Sequence, residues 1–261
     1  MDETATLICR ELRFGFESGN AVVDGVNASL GPGRVCALIG PNAAGKSTLL
    51  RLMLGVLHPW SGKIYNQGHD LADLSIAHRA SLISYVPQHG GGQFAFSVEQ
   101  VVEMGRYALA PDSEAVDRAI TRCDLVPLRH RAYPTLSTGQ QQRVLLARAM
   151  AQAHGGGRGV MLLDEPVSAM DLRYLHRCMR LLTDIAQSGR SVLVVLHDLN
   201  LAATYADDVW LMSEGRLVAC GSWKQVLQPA VLEPIYGVAL QTVQYNELGD
   251  RPHFVVKADC M

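Results

Sequence analysis

The nine residues Gly40-Pro41-Asn42-Ala43-Ala44-Gly45-Lys46-Ser47-Thr48 fit the pattern G-x-x-x-x-G-K-[ST]. A polyphosphate needs many hydrogen-bond donors converging on a small volume. A glycine-containing loop that opens a helix supplies consecutive backbone N–H groups and the positive end of the helix dipole. In such a loop Lys46 reaches the β- and γ-phosphates of a nucleoside triphosphate, and the Ser47 hydroxyl holds Mg²⁺. About one chain in a hundred of this length would match the pattern by chance. Here the motif lies between an apolar, strand-like run and a helical one, where the mechanism needs it. The second half of such a site is a carboxylate at the end of a neighbouring buried strand. Val160-Met161-Leu162-Leu163-Asp164-Glu165 supplies it. Asp164 is placed to bind Mg²⁺ through water, and Glu165 to polarise the attacking water as a general base. The cofactors expected from these residues are ATP and Mg²⁺.

Holding these groups in place requires strands that end where the loops begin. Val35-Cys36-Ala37-Leu38-Ile39 is wholly apolar, which suits a strand buried on both faces of a parallel sheet. Residues 47–57 then have helical composition and length. A helix over 139–152, a strand over 160–163, a helix over 172–188 and a strand over 191–196 continue the alternation. That alternation predicts an α/β fold with a mostly parallel sheet and helices on both faces. Ahead of it, residues 7–16 and 21–30 alternate like strands around the turn signal Glu17-Ser18-Gly19-Asn20. Gly90-Gly91-Gly92 opens a loop, after which 98–106 and 114–123 read as amphipathic helices with no strand between them. The expected organisation is one domain over 1–261. Within it, 1–34 belong to an antiparallel β-subdomain, 90–135 form an inserted helical subdomain, and 222–261 form a C-terminal extension. That extension is expected to hold short strands, a helix near 224–227 and a turn at Glu247-Leu248-Gly249-Asp250.

A third motif narrows the class. Leu136-Ser137-Thr138-Gly139-Gln140-Gln141-Gln142-Arg143 closely resembles the LSGGQ signature of the ABC (ATP-binding cassette) ATPases, and it falls between the phosphate loop and Asp164, in the order that family requires. The resemblance spans residues 7–256 and implies the P-loop NTPase fold of an ABC ATPase. Ser137 and Gly139 open a helix, a place suited to grip phosphate. By the resemblance they and Gln140 would contact the γ-phosphate bound to a second copy, so that each ATP lies between one chain's P-loop and the other's signature. Gln88, in Tyr85-Val86-Pro87-Gln88, matches the Q-loop glutamine, which senses Mg²⁺ and links to the transmembrane partner. Ser168-Ala169-Met170-Asp171 resembles the SALD loop that crosses the dimer interface. His197 matches the switch histidine that contacts the γ-phosphate and orients the catalytic glutamate. Phe16 matches the aromatic that stacks on adenine, with Phe14 as the alternative. The implied catalytic set is Glu165, His197, Lys46 and Gln88, and the metal set is Ser47, Gln88 and Asp164. Residues 40–48, Phe16, Ser137, Gly139, Gln140 and Asp171 would contact nucleotide.

Two positions depart from the family pattern. Thr138 stands where glycine is usual, and Ala43 replaces a common P-loop glycine. A β-branched residue tolerates positive φ poorly, so Thr138 implies either an ordinary backbone or a strained one. An altered γ-phosphate grip and slower turnover are the expected cost. Within the superfamily, VVEMGR (101–106), ARAMAQ (147–152), HDLNLAATYAD (197–207) and LEPIYGV (232–238) are similar to bacterial importers of iron-siderophores, haem and cobalamin. The segments 89–98 and 154–159 lean towards the haem members. The resemblance therefore implies an ATPase subunit powering import of an iron chelate, haem first, with ferric siderophore or cobalamin as alternatives. Its implied partners are a second copy, a transmembrane permease dimer and, through that, a periplasmic or surface substrate-binding protein. The ATPase of a zinc or manganese importer and a soluble non-transport ABC ATPase are the competing readings.

Bulk properties set the limits. The chain has 261 residues, of which 48% are hydrophobic and 18% charged, an ordinary globular composition. Its formal net charge of −2 offers no reason to expect nucleic acid. The basic run Arg118, Arg122, Arg129, His130, Arg131 reads as a solvated helix face and loop. Six cysteines lie far apart and read as buried thiols of a reducing compartment. The N-terminus lacks the pattern of a signal peptide, and no apolar run approaches the ~18 residues of a membrane span. The expected location is the cytoplasmic face of the inner membrane, as a peripheral subunit held by its partner.

Overall fold

The computed structural model describes residues 5–88, 95–154, 158–243 and 250–257. Elements are numbered in chain order. Strands β1 (Leu7–Phe14), β2 (Val23–Leu30), β4 (Ser61–Asn66) and β5 (His69–Asp70) form an antiparallel sheet in the order β2-β1-β4-β5. A second sheet runs β10 (Arg216–Ser222), β9 (Asp208–Ser213), β3 (Val35–Ile39), β8 (Ser191–Val195), β7 (Val160–Leu163), β6 (Ile83–Val86). All its pairings are parallel except that of the outer β10 with β9.

Successive side chains of a strand point to opposite faces, and β3, β7 and β8 are buried at every position. Val35, Ala37 and Ile39 of β3 enter one apolar cluster, whereas Cys36 and Leu38 enter another. Met161 and Leu163 part from Val160 and Leu162 in the same way. Each face therefore needs its own cover. The antiparallel sheet and α1 (Lys46–Met53) cover one, through residues such as Leu12, Val26, Leu49 and Leu52. The other is covered by α3 (Val98–Glu103), α4 (Ser113–Arg122), α5 (Thr138–Ala153) and α6 (Leu172–Gln187). Burying one such aliphatic side chain stabilises by roughly 1.5–3 kcal/mol, so both clusters resist separation of their layers.

Several boundaries move. The helix expected over 47–57 stops at Met53, because Gly55 adopts a left-handed φ of 69° just beyond it. The helix expected over 98–106 ends at Glu103 and continues as a 3₁₀ turn over Met104–Arg106. Within 95–135 the described residues form helices and turns, apart from an isolated bridge between Ser97 and Ala132. The sequence pattern predicts none of β4, β5, β6 and α2 (Ile76–Leu82). The antiparallel sheet therefore draws strands from beyond residue 34 as well as from 1–34. The glycine loop at 90–92 and the turn at 247–249 lie outside the described residues, as does part of 154–159.

Past β10 come α8 (Trp223–Val226), α9 (Pro229–Tyr236) and a hairpin of β11 (Leu240–Val243) with β12 (His253–Val256). The hairpin is tied to α7 (Leu199–Tyr205), a helix the sequence pattern also leaves unassigned. Asn200 Nδ2 donates to the Phe254 carbonyl at 3.2 Å, and the Phe254 N–H donates to Asn200 Oδ1 at 2.7 Å. Arg251 Nη1 donates to the carbonyls of Ala203 and Ala206 at the end of α7, at 2.6 and 2.8 Å. The basic run is neutralised locally: Arg118 pairs with Glu114, Arg122 with Asp184, and Arg129 with Glu99 and Asp117. Cys9, Cys36, Cys123 and Cys178 are buried free thiols, while Cys220 is a free thiol that is exposed. Among the described residues no helix is long and apolar enough to cross a membrane.

Candidate active site

Four neighbouring parallel strands deliver the chemistry. The loop after β3 carries residues 40–45, β8 leads to His197, β7 leads to Asp164 and Glu165, and β6 leads to Gln88. The residues thus lie beyond the carboxyl ends of adjacent strands, where ligands of open parallel sheets bind.

The phosphate loop is set by close backbone approach. A Cβ on Gly40 (φ 145°) would lie 2.0 Å from the Met212 carbonyl oxygen, and one on Gly45 (φ 100°) 2.5 Å from that of Val22. Neither position has room for a side chain. Gly45 also N-caps α1 with no side-chain hydrogen bond, so no capping side chain competes for the first amides of the helix. Lys46 is 6% exposed and donates from Nζ to the carbonyls of Gly40 and Pro41 at 2.8 and 2.7 Å. Burial pulls its pKa down, and the charges of Glu165 and Asp164 oppose that shift.

Ser47 Oγ donates to Asp164 Oδ1 at 3.1 Å. Asp164 is 2% exposed; burial pushes its carboxyl up, the Ser47 hydrogen bond works against this, and Glu165's charge adds to it. A buried carboxylate beside a hydroxyl fits a hard cation with oxygen ligands. Among the described residues no group of three His, Cys, Asp or Glu side chains could hold a metal unaided. The pair would therefore take Mg²⁺ together with phosphate oxygens.

Glu165 sits at a positive φ of 49°, a costly conformation for a residue with a Cβ. Its two oxygens are clasped from either side. Gln88 Nε2 donates to Oε2 at 2.7 Å, and His197 Nε2 lies 2.5 Å from Oε1. The structure thus brings Lys46, Ser47, Gln88, Asp164, Glu165 and His197 to one place.

Ser137, Gly139, Gln140 and Asp171 are gathered elsewhere, in a cleft of about 620 Å³ that contains no phosphate-loop residue. Ser137 N-caps α5 in a capping box: its Oγ accepts from Gln140 N–H at 3.3 Å, and Gln140 Oε1 accepts from Ser137 N–H at 3.0 Å. Gln140's side chain is therefore engaged at the helix start. Asp171 caps α6, its Oδ1 accepting from Tyr174 N–H at 3.0 Å. The two aromatic candidates separate clearly, since Phe14 is 8% exposed and Phe16 64%. Phe16 and Phe14 form a T-shaped pair with centroids 5.2 Å apart, and Phe16 remains largely open to solvent.

Residues 23–168 match the family described as ABC transporter. The chain belongs to the ABC transporter family. As a member of it, the chain is an ATPase. A hemin import ATP-binding protein of Pseudomonas putida is 40% identical over 235 residues, covering 88% of this chain and 92% of the relative. A cobalamin import ATP-binding protein of Halobacterium salinarum is 39% identical over 226 residues, covering 84% of this chain and 56% of that longer protein. Among solved structures, a chain of a metal-chelate type ABC transporter in an inward-facing conformation superposes with a TM-score of 0.80. The two share 30% identity over 97% of this chain and 98% of the other.

The departures from the ABC pattern resolve differently. Thr138 is the first residue of α5 and has no positive φ, so its backbone is ordinary. Ala43 does occupy the left-handed region, at φ 61°. One buried group escapes the sequence reading. Gln142, 3% exposed, is the third of three consecutive glutamines, and only the packing of α5 shows which of them turns inward.

Proposed function

We propose that two copies of this chain bind two ATP molecules between them and drive import of an iron chelate, haem first, through a membrane permease. The observation that carries the catalytic part is the clasp on Glu165 beside the Ser47–Asp164 pair. Lys46 releases the Gly40 and Pro41 carbonyls to bind the β- and γ-phosphates. Ser47 and Asp164, with Gln88 close by, would hold Mg²⁺, which when bound would supply charge neutralisation for the transferring phosphoryl group. Glu165 accepts a hydrogen bond from the attacking water and takes its proton. His197 and Gln88 fix both carboxylate oxygens, and His197 reaches the γ-phosphate. Ser137, Gly139, Gln140 and Asp171 of the second copy close the other side of the nucleotide, and Phe16 stacks on the adenine. Catalysis on this reading is mostly positioning and charge stabilisation.

The cargo reading rests on the hemin import relative, and the metal-chelate transporter chain agrees with it in class. The cobalamin import relative at 39% identity keeps cobalamin as the second reading. A permease would dock around Gln88 and the helical segment 95–135. Phe96, Met104 and Tyr107 there are 40, 42 and 96% exposed, which suits a surface that a partner covers. A substrate-binding protein outside the membrane would complete the system, and this chain would sit on the cytoplasmic face.

The test is Glu165→Gln. It should bind ATP and dimerise, with turnover reduced by about 10²–10⁴-fold, the span of general-base catalysis. Purified from solubilised membranes with ATP present, it should bring down a many-helix permease, whose response to added haem or cobalamin then assigns the cargo. Normal turnover in the variant removes Glu165 from the base role, and recovery of soluble partners alone removes the transport reading.

A further inference from the structure

Gln142 lies on α5, five residues beyond the Ser137 cap, and its amide joins two loops that both lead to Glu165. Nε2 donates to the Gln88 carbonyl and to Ser168 Oγ, each at 3.3 Å, and Oε1 accepts from the Ala169 N–H at 3.4 Å. Both acceptors near Nε2 are oxygens and the third partner is an N–H, so one orientation of the amide satisfies all three. Each branch then continues. Through Gln88 it runs to the side chain that donates to Glu165 Oε2 at 2.7 Å. Through Ser168 it runs to Oγ, which donates to the Glu165 carbonyl at 3.1 Å. α5 also lies hard against this second loop: a Cβ on Gly139 would be 2.8 Å from the Ala169 carbonyl oxygen. With 3% exposure, Gln142 has little water with which to replace these bonds.

We infer that Gln142 is a positioning residue that transmits engagement of α5 by the second copy's nucleotide to the alignment of this chain's own Glu165. The inference rests on the paired-site reading above. Ser137 and Gly139 open α5, so a phosphate drawing on that end moves a helix whose fifth residue beyond the cap holds both supports of the catalytic carboxylate. Loss of the amide leaves the phosphate loop untouched and frees those supports from α5. Chemistry then slows and the two sites lose their communication, while ATP still binds.

The test is steady-state ATP hydrolysis by the full chain over a range of ATP concentrations, in the variants Gln142→Leu, Gln142→Glu and Ser168→Ala. Gln142→Leu should lower kcat by about tenfold, within the range by which coupling residues act. KM should stay within about twofold and the Hill coefficient should fall towards one. Gln142→Glu keeps the acceptor for Ala169 and should recover part of kcat. Ser168→Ala removes one branch, should lower kcat by less, and should add less to Gln142→Leu in the double variant than it costs alone. If Gln142→Leu does not fold, Gln142→Glu and Ser168→Ala carry the same comparison. Wild-type kcat and Hill coefficient in Gln142→Leu would overturn the inference alone, as would a fall in kcat matched by a rise in KM. A wild-type chain that hydrolyses ATP without cooperativity overturns the paired-site reading and the inference with it.

Discussion

Burial pushes the Asp164 carboxyl above its ordinary 3.8, so its ionised form is held against the preference of the folded chain. The sign follows directly. A raised folded-state pKa makes the ionised group unfavourable to folding above that pKa, and the effect vanishes below the unfolded value. Asp164→Asn should therefore raise the melting temperature of the chain in EDTA at pH 7, at about 2–4 °C per kcal/mol recovered. The gain should shrink as the pH is lowered towards 4, and Mg²⁺-dependent hydrolysis should be lost. Ala43 makes a second case. A residue with a Cβ in the left-handed region costs roughly 1–2 kcal/mol, of which glycine's greater freedom in the unfolded chain gives back about 0.4–1. Ala43→Gly should accordingly raise the melting temperature by about 1–3 °C in a calorimetric scan. A lower melting temperature would show that the φ of 61° carries no strain.

The start of α5 joins stability to function. Its capping box satisfies amides of the first turn with Ser137 and Gln140, and replacing such a cap by alanine costs about 1 kcal/mol. Ser137→Ala should thus lower the melting temperature by about 2–4 °C. ATP binding to the isolated chain should be unchanged by nucleotide fluorescence, because Ser137 lies in a different cleft from Lys46. Elements such as α5, β3, β7 and β8 are legible in the sequence for physical reasons. Strands buried on both faces must be wholly apolar, and the loops at their ends must have glycine or carboxylates at fixed offsets. β4 is exposed over Ser61, Gly62 and Lys63, and α2 buries no residue fully, so neither writes an apolar period into the chain. α7, seven residues long, is held by tertiary contacts, packing Leu201, Ala202 and Ala203 into the core and bonding the hairpin across about fifty residues of sequence. Gln142 is illegible for a related reason. Gln140, Gln141 and Gln142 are chemically identical, and only tertiary packing tells them apart.

At the scale of the molecule, charge balance is kept by local pairs rather than by a field. The carboxyls of Asp24, Asp70, Glu99 and Asp112 are all held below their ordinary range: the first three chiefly by Arg216, Lys63 and Arg129, the last by the Ala115 backbone N–H. A lowered folded-state pKa contributes stability that is present above the unfolded value and lost as the pH falls through the folded one. Urea midpoints should therefore hold steady, as far as these groups decide, from pH 7 down to about 5 and fall below the ordinary carboxylate range. A fall already complete at pH 5 would assign acid sensitivity to other groups. The hairpin on α7 has one more consequence. Val255 and Val256 are 46 and 59% exposed, yet their neighbour Phe254 is bonded at both its N–H and its carbonyl to Asn200, three residues after His197. A dye placed on either valine would stand in solvent while anchored to α7, the helix that follows His197, so the hairpin offers an optical lever on His197 that leaves the proposed nucleotide cleft unlabelled.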